Sequence, residues 1–330
     1  MPRVYYHLSK YISHRTAGSD YIDAMLAAGI DIVSRPEQAD IVIIHDDPLN
    51  YESILSSLGK VSAKLIAYSV WETEELPQQY VSPLKQFDEI WTCSPFSARA
   101  FSKHFKNIRI IPHIVGNHPA DNESIRTARE LISHSDDNFY FFTIVDAVNP
   151  RKNFQNLLQV FIKTFTGKRN VFLVVKQHRF PMDLSSLPQV IDLPLKLSPQ
   201  EISALHSVCS CYVSLHHAEA WGLPISDAMS AGKPVIATGY SGNMYYMNND
   251  NSLPVKYSLV NVPGKMCSLI PLYTADMVWA EPDLAHASYL MKKVVKKGHI
   301  KEIAYNARFS MEDFKPEKIG MLIRHSLSET

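Results

Sequence analysis

Residues 212–247 read YVSLHHAEAWGLPISDAMSAGKPVIATGYSGNMYYM, and their punctuation decides the fold. A β-rich apolar run ends at Leu215, a loop follows, and a helix is expected to start around Gly222, Leu223 and Pro224. Proline in a first helical turn costs no hydrogen bond, because that amide has no partner inside the helix. A second strand, Pro234 to Ala237, then ends in GlyTyrSerGlyAsn at 239–243. Strand, loop, helix and strand make one crossover of a parallel sheet. Free amides at such a helix start favour an anion, and glycine lets a phosphate come close to the backbone. Two acids bracket the turn, Glu219 in the loop and Asp227 inside the helix. Each can accept hydrogen bonds from a neutral diol beside a bound phosphate. An acid-capped helix would explain Glu219 but not the repeated Gly and Pro. The 330-residue chain holds only 12 glycines, where an average usage of about 7% would give roughly 23. Four of them, Gly222, Gly232, Gly239 and Gly242, fall in this one stretch.

The same rhythm runs outward in both directions. Before it, strands are expected at Phe139 to Val145, Val171 to Lys176, Val190 to Leu193 and Cys211 to Leu215, with helices at Phe154 to Phe165 and Pro199 to Val208. After it come a strand at Ser252 to Val255, a helix at Asp283 to Lys297 and an amphipathic segment from Met311 to Ser328. The first half repeats the alternation: strands at Arg3 to Leu8, Ile30 to Ser34, Asp40 to His45, Lys64 to Val70, Glu89 to Cys93 and Ile108 to Pro112 are interleaved with helices at Ser19 to Ala28, Tyr51 to Leu58, Tyr80 to Phe87 and Pro95 to Phe105. The stretch Asp121 to Asp137 turns polar and reads as a helix and linker. Two doubly wound α/β domains in series are therefore expected, 1–135 and 136–310, followed by a helix over 311–330 that crosses back to the first domain. Ligands of such domains sit at the carboxyl ends of the strands, here in a cleft between the two.

Several classes are excluded. Lys plus Arg and Asp plus Glu number 33 each, so the chain is formally neutral and gives no global reason to expect nucleic acid. Its longest stretch without a charged residue, Ile202 to Ala218, is too short and polar to span a bilayer, and the N-terminus lacks the pattern of a secretory signal. Cys93, Cys209, Cys211 and Cys267 then read as free thiols in a reducing compartment. Cys209 and Cys211 with His216 and His217 could be imagined as a metal site, but a buried strand with inert thiols explains them better. No Gly-x-Gly pair, Walker A loop, Asp-x-Asp clamp or Gly-x-Ser-x-Gly elbow occurs.

The pattern Glu219, seven residues, Asp227, with GlyLeuPro inside it and AlaMetSerAlaGlyLysProValIleAla at 228–237, resembles the donor-binding motif of retaining glycosyltransferases of the two-Rossmann-domain (GT-B) class, family 4. ValAspAlaValAsnProArgLysAsn at 145–153 is similar to the signature after that family's first donor-domain strand, and TrpAlaGluProAsp at 279–283 to its closing signature. The resemblance covers nearly all of 139–290. It implies that Arg151 and Lys152 offset the charge of a leaving diphosphate, that Glu219 holds hydroxyls of the transferred sugar, and that Asp227 holds the ribose. Gly222, Leu223, Pro224 and Trp221 would complete the donor site. There are departures: Asp227 replaces the usual second Glu, and Asp146 stands where many members carry an Arg. Lys176 could compensate or be a surface residue.

In the first domain the loop ThrAlaGlySerAsp at 16–20 matches the family's glycine loop near the donor phosphate, with Gly18 as its single glycine. TrpGluThrGluGluLeuPro at 71–77 occupies the edge where many relatives place a histidine. Glu72 could there stabilise oxocarbenium charge, bind the acceptor, or simply start a helix, with Trp71 and His45 on the acceptor side and His113 structural. Lys103, Lys106, Arg99 and Arg109 make a modest basic patch that suits anionic lipid headgroups, with a solvated helix face as the plain alternative. The resemblance implies a metal-independent transferase with no cofactor beyond its co-substrate, a UDP- or GDP-sugar. It would pass a hexose to a glycan or lipid-linked acceptor in bacterial surface polysaccharide assembly, in the cytoplasm or on the inner face of the membrane. A nucleotide-sugar 2-epimerase of the same fold, or a catalytically silent sugar-nucleotide binder, is the alternative.

Overall fold

The computed structural model describes residues 2–59, 61–296 and 300–329. The first half runs β1 (Arg3–Leu8), α1 (Ile12–Ala27), β2 (Asp31–Ile32), β3 (Ile41–His45), α2 (Tyr51–Leu58), β4 (Lys64–Tyr68), α3 (Gln78–Leu84), β5 (Glu89–Thr92), α4 (Pro95–Ser102) and β6 (Ile108–Ile110). It continues through α5 (Asn122–Leu131), β7 (Phe139–Val145), α6 (Phe154–Phe165), β8 (Val171–Gln177), β9 (Val190–Leu193), α7 (Pro199–Val208), β10 (Cys211–Ser214), α8 (Leu223–Ser230), β11 (Val235–Thr238) and β12 (Leu253–Val255). The last part holds β13 (Tyr257–Asn261), α9 (Gly264–Leu269), β14 (Val278–Pro282), α10 (Leu284–Val295), α11 (Ile300–Ser310) and α12 (Pro316–Ser328).

Two six-stranded parallel sheets result, ordered β2-β1-β3-β4-β5-β6 and β12-β11-β10-β7-β8-β9. This is the two-domain α/β architecture the motifs imply. In each sheet the strand order reverses at one point, between β1 and β3 in the first and between β7 and β10 in the second. There the crossovers leave in opposite directions and open a crevice at the carboxyl ends. The central strands are buried on both faces, as parallel strands between helices must be; all five residues of β3 are buried. In the second sheet Phe141, Val145, Leu173 and Val175 pack against Phe154, Leu157, Phe161 and Phe165 of α6 and Leu290 and Met291 of α10. Cys209 and Cys211 are buried, and burial pushes both thiols up, so they are core residues.

The chain divides into one unit of residues 1–117, 262–277 and 313–330 and a second of 118–261 and 278–312. This differs from the boundaries at 135 and 310 for physical reasons. Helix α5, capped by a reciprocal Asp121 and Ser124 pair, packs on α7 and so belongs with the second sheet. Residues 262–277 leave the antiparallel pair β13 and β14 and join the first unit, where Gln79 Nε2 donates to the Pro271 carbonyl at 3.1 Å and Tyr273 lies 4.9 Å from Trp71. Helix α12 packs on α1, with Arg324 donating to the Ala28 carbonyl at 3.0 Å.

Most element bounds agree with the expectations to within a few residues. Helix α10 ends at Val295, and the expected terminal Lys297 lies outside the described residues, as does Thr330. Helix α1 starts seven residues earlier than its expected start at Ser19, so Gly18 is a helical residue rather than part of a loop. Strands β13 and β14 and helices α9 and α11 had no counterpart among the expected elements.

Candidate active site

The candidate site lies at the reversal of the second sheet. Beyond β7 a single tight turn spans Pro150–Lys152, started by Asn149, whose side chain accepts from the Arg151 amide at 3.1 Å. Asn153 closes it in the left-handed region at φ 52°, and its Nδ2 donates to the Leu215 carbonyl at 2.8 Å. The His217 amide donates back to the Arg151 carbonyl at 2.8 Å. The ArgLysAsn turn is thus clipped to the loop that follows β10, 62 to 67 residues away in sequence.

That clip brings three charges together. Arg151 Nη1 donates to Glu219 Oε2 at 2.9 Å and to the Ala218 carbonyl at 2.7 Å, while Lys152 Nζ donates to Glu219 Oε1 at 2.5 Å. Glu219 and Arg151 are buried. Burial alone would raise the Glu219 carboxyl, but Lys152, Arg151 and His216 outweigh it and hold the group well below the ordinary carboxylate range. Arg151 and Lys152, which the resemblance implies face a diphosphate, here share one carboxylate.

The loop carrying Glu219 is fixed from the opposite side. Ser241 Oγ accepts the Glu219 amide at 2.8 Å, and the Gly242 amide donates to the Glu219 carbonyl at 2.8 Å. Gly222 caps α8 in the left-handed region at φ 86°, a conformation that side chains oppose. Tyr246 donates to the Trp221 carbonyl at 2.7 Å. Trp221 is itself buried, its indole donating to Ser226 Oγ at 2.9 Å, so it props the loop from beneath. His216 bridges Ser214 at 3.1 Å and Asn243 at 3.1 Å, and burial pushes its imidazole down to about 4. Ser241, Asn243 and Tyr246 escaped the sequence reasoning, and His216 figured there only in an imagined metal site. The signal of Ser241 and Asn243 was the GlyTyrSerGlyAsn string, which looked like a second loop at the same edge and not like a brace.

A small pocket opens here, lined by Thr143, Ile144 and Val145 of β7, Tyr212 and Ser214 of β10, and Lys152, Glu219, Gly222 and Pro224. Glu219 lines the cavity, whereas Asp227, half-buried on α8, is absent from that lining. Leu223 is half-buried at the start of α8. Lys176 is buried at the end of β8, with Nζ donating to the Gln177 carbonyl at 2.8 Å, and is absent from the cavity lining.

In the first unit the reversal between β1 and β3 is filled by aromatic rings. A Cβ on Gly18 would come within 2.7 Å of Leu8 Cδ2 and 3.2 Å of Tyr6 Cε1, so the glycine serves the close approach of α1 to the strand ends. His45 is buried, with Nδ1 2.9 Å from the Tyr6 hydroxyl, its ring stacked on His14 at 5.2 Å and tilted against Tyr68 at 4.3 Å. Burial holds its imidazole well below the ordinary histidine range. His113 meets the Tyr21 hydroxyl at 3.0 Å and is structural. Trp71 is buried with its indole donating to Thr73 Oγ1 at 2.7 Å, so it forms wall and not surface. Glu72 is half-buried and accepts from the Tyr273 hydroxyl at 3.4 Å. His14, which sequence reasoning missed, lies among Asp46, Asp47 and Glu72. The expected basic patch is largely spent on ion pairs: Arg109 meets Glu89 at 2.9 Å and Glu329 at 2.9 Å, and Lys103 meets Glu75.

The buried histidines set an acid limit. Burial lowers His206 and His113 to about 3 and His216 to about 4. Each is neutral when folded and binds a proton when unfolded below about 6.5, so stability is complete above that value and falls as pH drops. The expected slope is about 1.4 kcal/mol per pH unit for each histidine between about pH 6 and 4. Denaturant melts at pH 7, 6, 5 and 4 measure it; a flat profile refutes the assignment.

Residues 126–256 match the family of glycosyl transferases group 1. Among solved structures the chain is similar to HepE of Anabaena in complex with UDP and glucose, at 14% identity and TM-score 0.70 over 100% of both chains. It is similar to a sucrose-phosphate synthase from Thermosynechococcus elongatus, at 12% identity and TM-score 0.68 over 99% of each chain. TarM of S. aureus, crystallised with UDP, fondaparinux and α-GlcNAc-glycerol, aligns at 13% identity and TM-score 0.63 over 87% of this chain and 54% of its own. No curated protein matches the chain in sequence.

Proposed function

We propose that this GT-B glycosyltransferase is a retaining, metal-independent enzyme of family 4 that moves a hexose from a UDP- or GDP-sugar to a glycan or lipid-linked acceptor in bacterial surface polysaccharide assembly. The observation that carries it is the cluster of Arg151, Lys152 and Glu219 on the rim of a cavity at the sheet reversal. The complex of HepE with UDP-glucose supports a uridine donor. A nucleotide-sugar diphosphate competes with Glu219 for the two cations. Arg151, whose guanidinium suits bidentate contact with phosphate oxygens, and Lys152 then meet the diphosphate as its charge grows in the transition state. Glu219, held by the Ser241 and Gly242 contacts to its backbone, turns its carboxylate to the hydroxyls of the sugar. Asp227 takes the ribose, and amides at Gly222 and Leu223 face the phosphate.

Transfer breaks the bond from the anomeric carbon to the phosphate oxygen and forms one to the acceptor oxygen on the same face. The acceptor's proton passes to the departing diphosphate, which therefore serves as the base. Glu72, with His14 and Asp46 near it, is placed on the acceptor side. No helix among the described residues is long and apolar enough to cross a membrane. We place the enzyme in the cytoplasm; a contact with the inner membrane face would rest on exposed Arg99 and Lys106.

Turnover of the donor, followed by nucleoside diphosphate release with a panel of saccharide acceptors, is expected to survive EDTA and to fall roughly 100-fold or more in Lys152→Ala. Full activity in that variant, or loss of activity on chelation, overturns the proposal. Free epimerised sugar nucleotide without a glycosylated product would favour the epimerase.

A further inference from the structure

Asn243, His216 and Ser214 form a hydrogen-bond chain whose direction is fixed, and it ends in the pocket. Asn243 is buried, and its Nδ2 donates to the Thr238 carbonyl at 2.9 Å, so its Oδ1 is the end turned to His216. Nε2 of His216 lies 3.1 Å from that oxygen. An amide oxygen has no hydrogen to give, so Nε2 carries the ring proton and donates it. Burial pushes the imidazole down to about 4, so at neutral pH the ring holds only that one proton and Nδ1 is an acceptor. The Ser214 hydroxyl, 3.1 Å from Nδ1, is the donor that meets it. The hydroxyl hydrogen of Ser214 is thereby committed to His216, and its oxygen is left to accept.

Ser214 is half-buried at the end of β10 and lines the pocket together with Lys152, Glu219 and Gly222. A hydroxyl that can only accept is the wrong partner for a sugar-linked diphosphate, whose oxygens carry no hydrogen at neutral pH. It is the right partner for an alcohol. Glu219 on the same lining is ionised and likewise only accepts. Two acceptors on one small pocket select a ligand group rich in hydroxyls. One brace sets both, because Ser241 Oγ accepts the Glu219 amide at 2.8 Å and lies 3.4 Å from Asn243 Oδ1. We propose that Ser214 is a specificity residue for the transferred sugar: its oxygen accepts a hydrogen bond from one hydroxyl of the hexose, and His216 is the positioning residue that holds it in that polarity. This rests on the donor reading above and deepens it by naming what the pocket reads on the sugar, a hydroxyl that donates.

Binding is the readout, because exchanging a sugar hydroxyl also perturbs the transfer step. Affinities of the full chain for UDP, GDP, UDP-glucose, UDP-galactose and GDP-mannose are measured by calorimetry, with the melting temperature of each variant recorded. The hexose that gains most over its bare diphosphate is then compared with its monodeoxyfluoro analogues, one for each hydroxyl, since fluorine keeps the size and cannot donate. One analogue is expected to bind the wild type roughly 3- to 10-fold more weakly than its parent, the range for one neutral hydrogen bond, and to lose that penalty in Ser214→Ala. Ser214→Cys, which keeps the shape and accepts only weakly, should lose most of it too. His216→Phe should shrink the same penalty, while the other analogues keep theirs in all three variants, a pattern that a merely loosened fold would not give. If no analogue has a penalty that Ser214→Ala removes, or if no hexose gains over its bare diphosphate, the inference falls alone. If the wild type binds neither UDP nor GDP, the donor reading falls and takes the inference with it.

Discussion

Glu219→Ala is expected to cut transfer by two to three orders of magnitude, lower the melting temperature of the second unit and yet increase the thermal shift produced by a nucleoside diphosphate. The three effects have one cause. Glu219 is paired with both Arg151 and Lys152. Deleting it leaves two cations facing each other, one of them buried, and removing one partner of a buried ion pair costs about 3–5 kcal/mol. For a unit of this size that corresponds to roughly 10 °C. A bound diphosphate restores the missing negative charge, so ligand binding recovers in the variant what it must displace in the wild type. Transfer does not recover, because the carboxylate that would orient the sugar is gone; a loss of roughly 100- to 1,000-fold is the scale for a single preorganised polar group. Glu219→Gln keeps the shape and should show the same signs with a smaller loss of stability. A variant with a thermal shift below that of the wild type, or with near-normal turnover, would show that the cluster is structural.

How much of this was legible in the sequence follows from the range of the interactions. The turn at Gly222 and Pro224 is local: a left-handed cap and a fixed φ are properties of those residues themselves, and the helix starts where they say. The parallel sheets were legible because strands buried on both faces are continuous apolar runs, as in IleValIleIleHis of β3. Strand β13 has no such signature; its residues are mostly exposed and its partner β14 lies beyond an excursion of 16 residues, 262–277, that belongs to the first unit. Gly18 misled because glycine signals a loop by its backbone freedom, whereas here its missing side chain matters inside a helix. At the site, residue types suggested an anion-binding chemistry, but the partners did not announce themselves. Arg151 and Lys152 looked like spare cations until the fold set Glu219 between them from 67 residues away.

The second large effect belongs to a residue that touches no ligand. Gly242→Ala is expected to cost several kcal/mol of stability and about 100-fold in turnover, although the change adds a single methyl. A Cβ at this position would fall 1.7 Å from the Ala220 carbonyl oxygen, 2.2 Å from its carbon and 2.8 Å from the Glu219 carbonyl oxygen. All three are backbone atoms, so no side chain can swing aside, and either the 219–222 loop or the turn at Gly242–Tyr245 must retreat by more than an ångström. The retreat breaks the Gly242 amide bond to the Glu219 carbonyl and loosens the Ser241 contact to the Glu219 amide. It also carries Glu219 away from Arg151 and Lys152, and a displacement of about 1 Å at a reacting centre is enough for a 100-fold loss. Clashes that backbone cannot relieve belong to the short list of substitutions costing more than about 4 kcal/mol. Gly264→Ala is the control, since a Cβ there meets nothing within 4 Å. Melting curves and donor turnover for the two variants should separate by more than 10 °C and about two orders of magnitude; equal behaviour would mean that the 239–243 loop yields freely and that Glu219 owes its position to the cations alone.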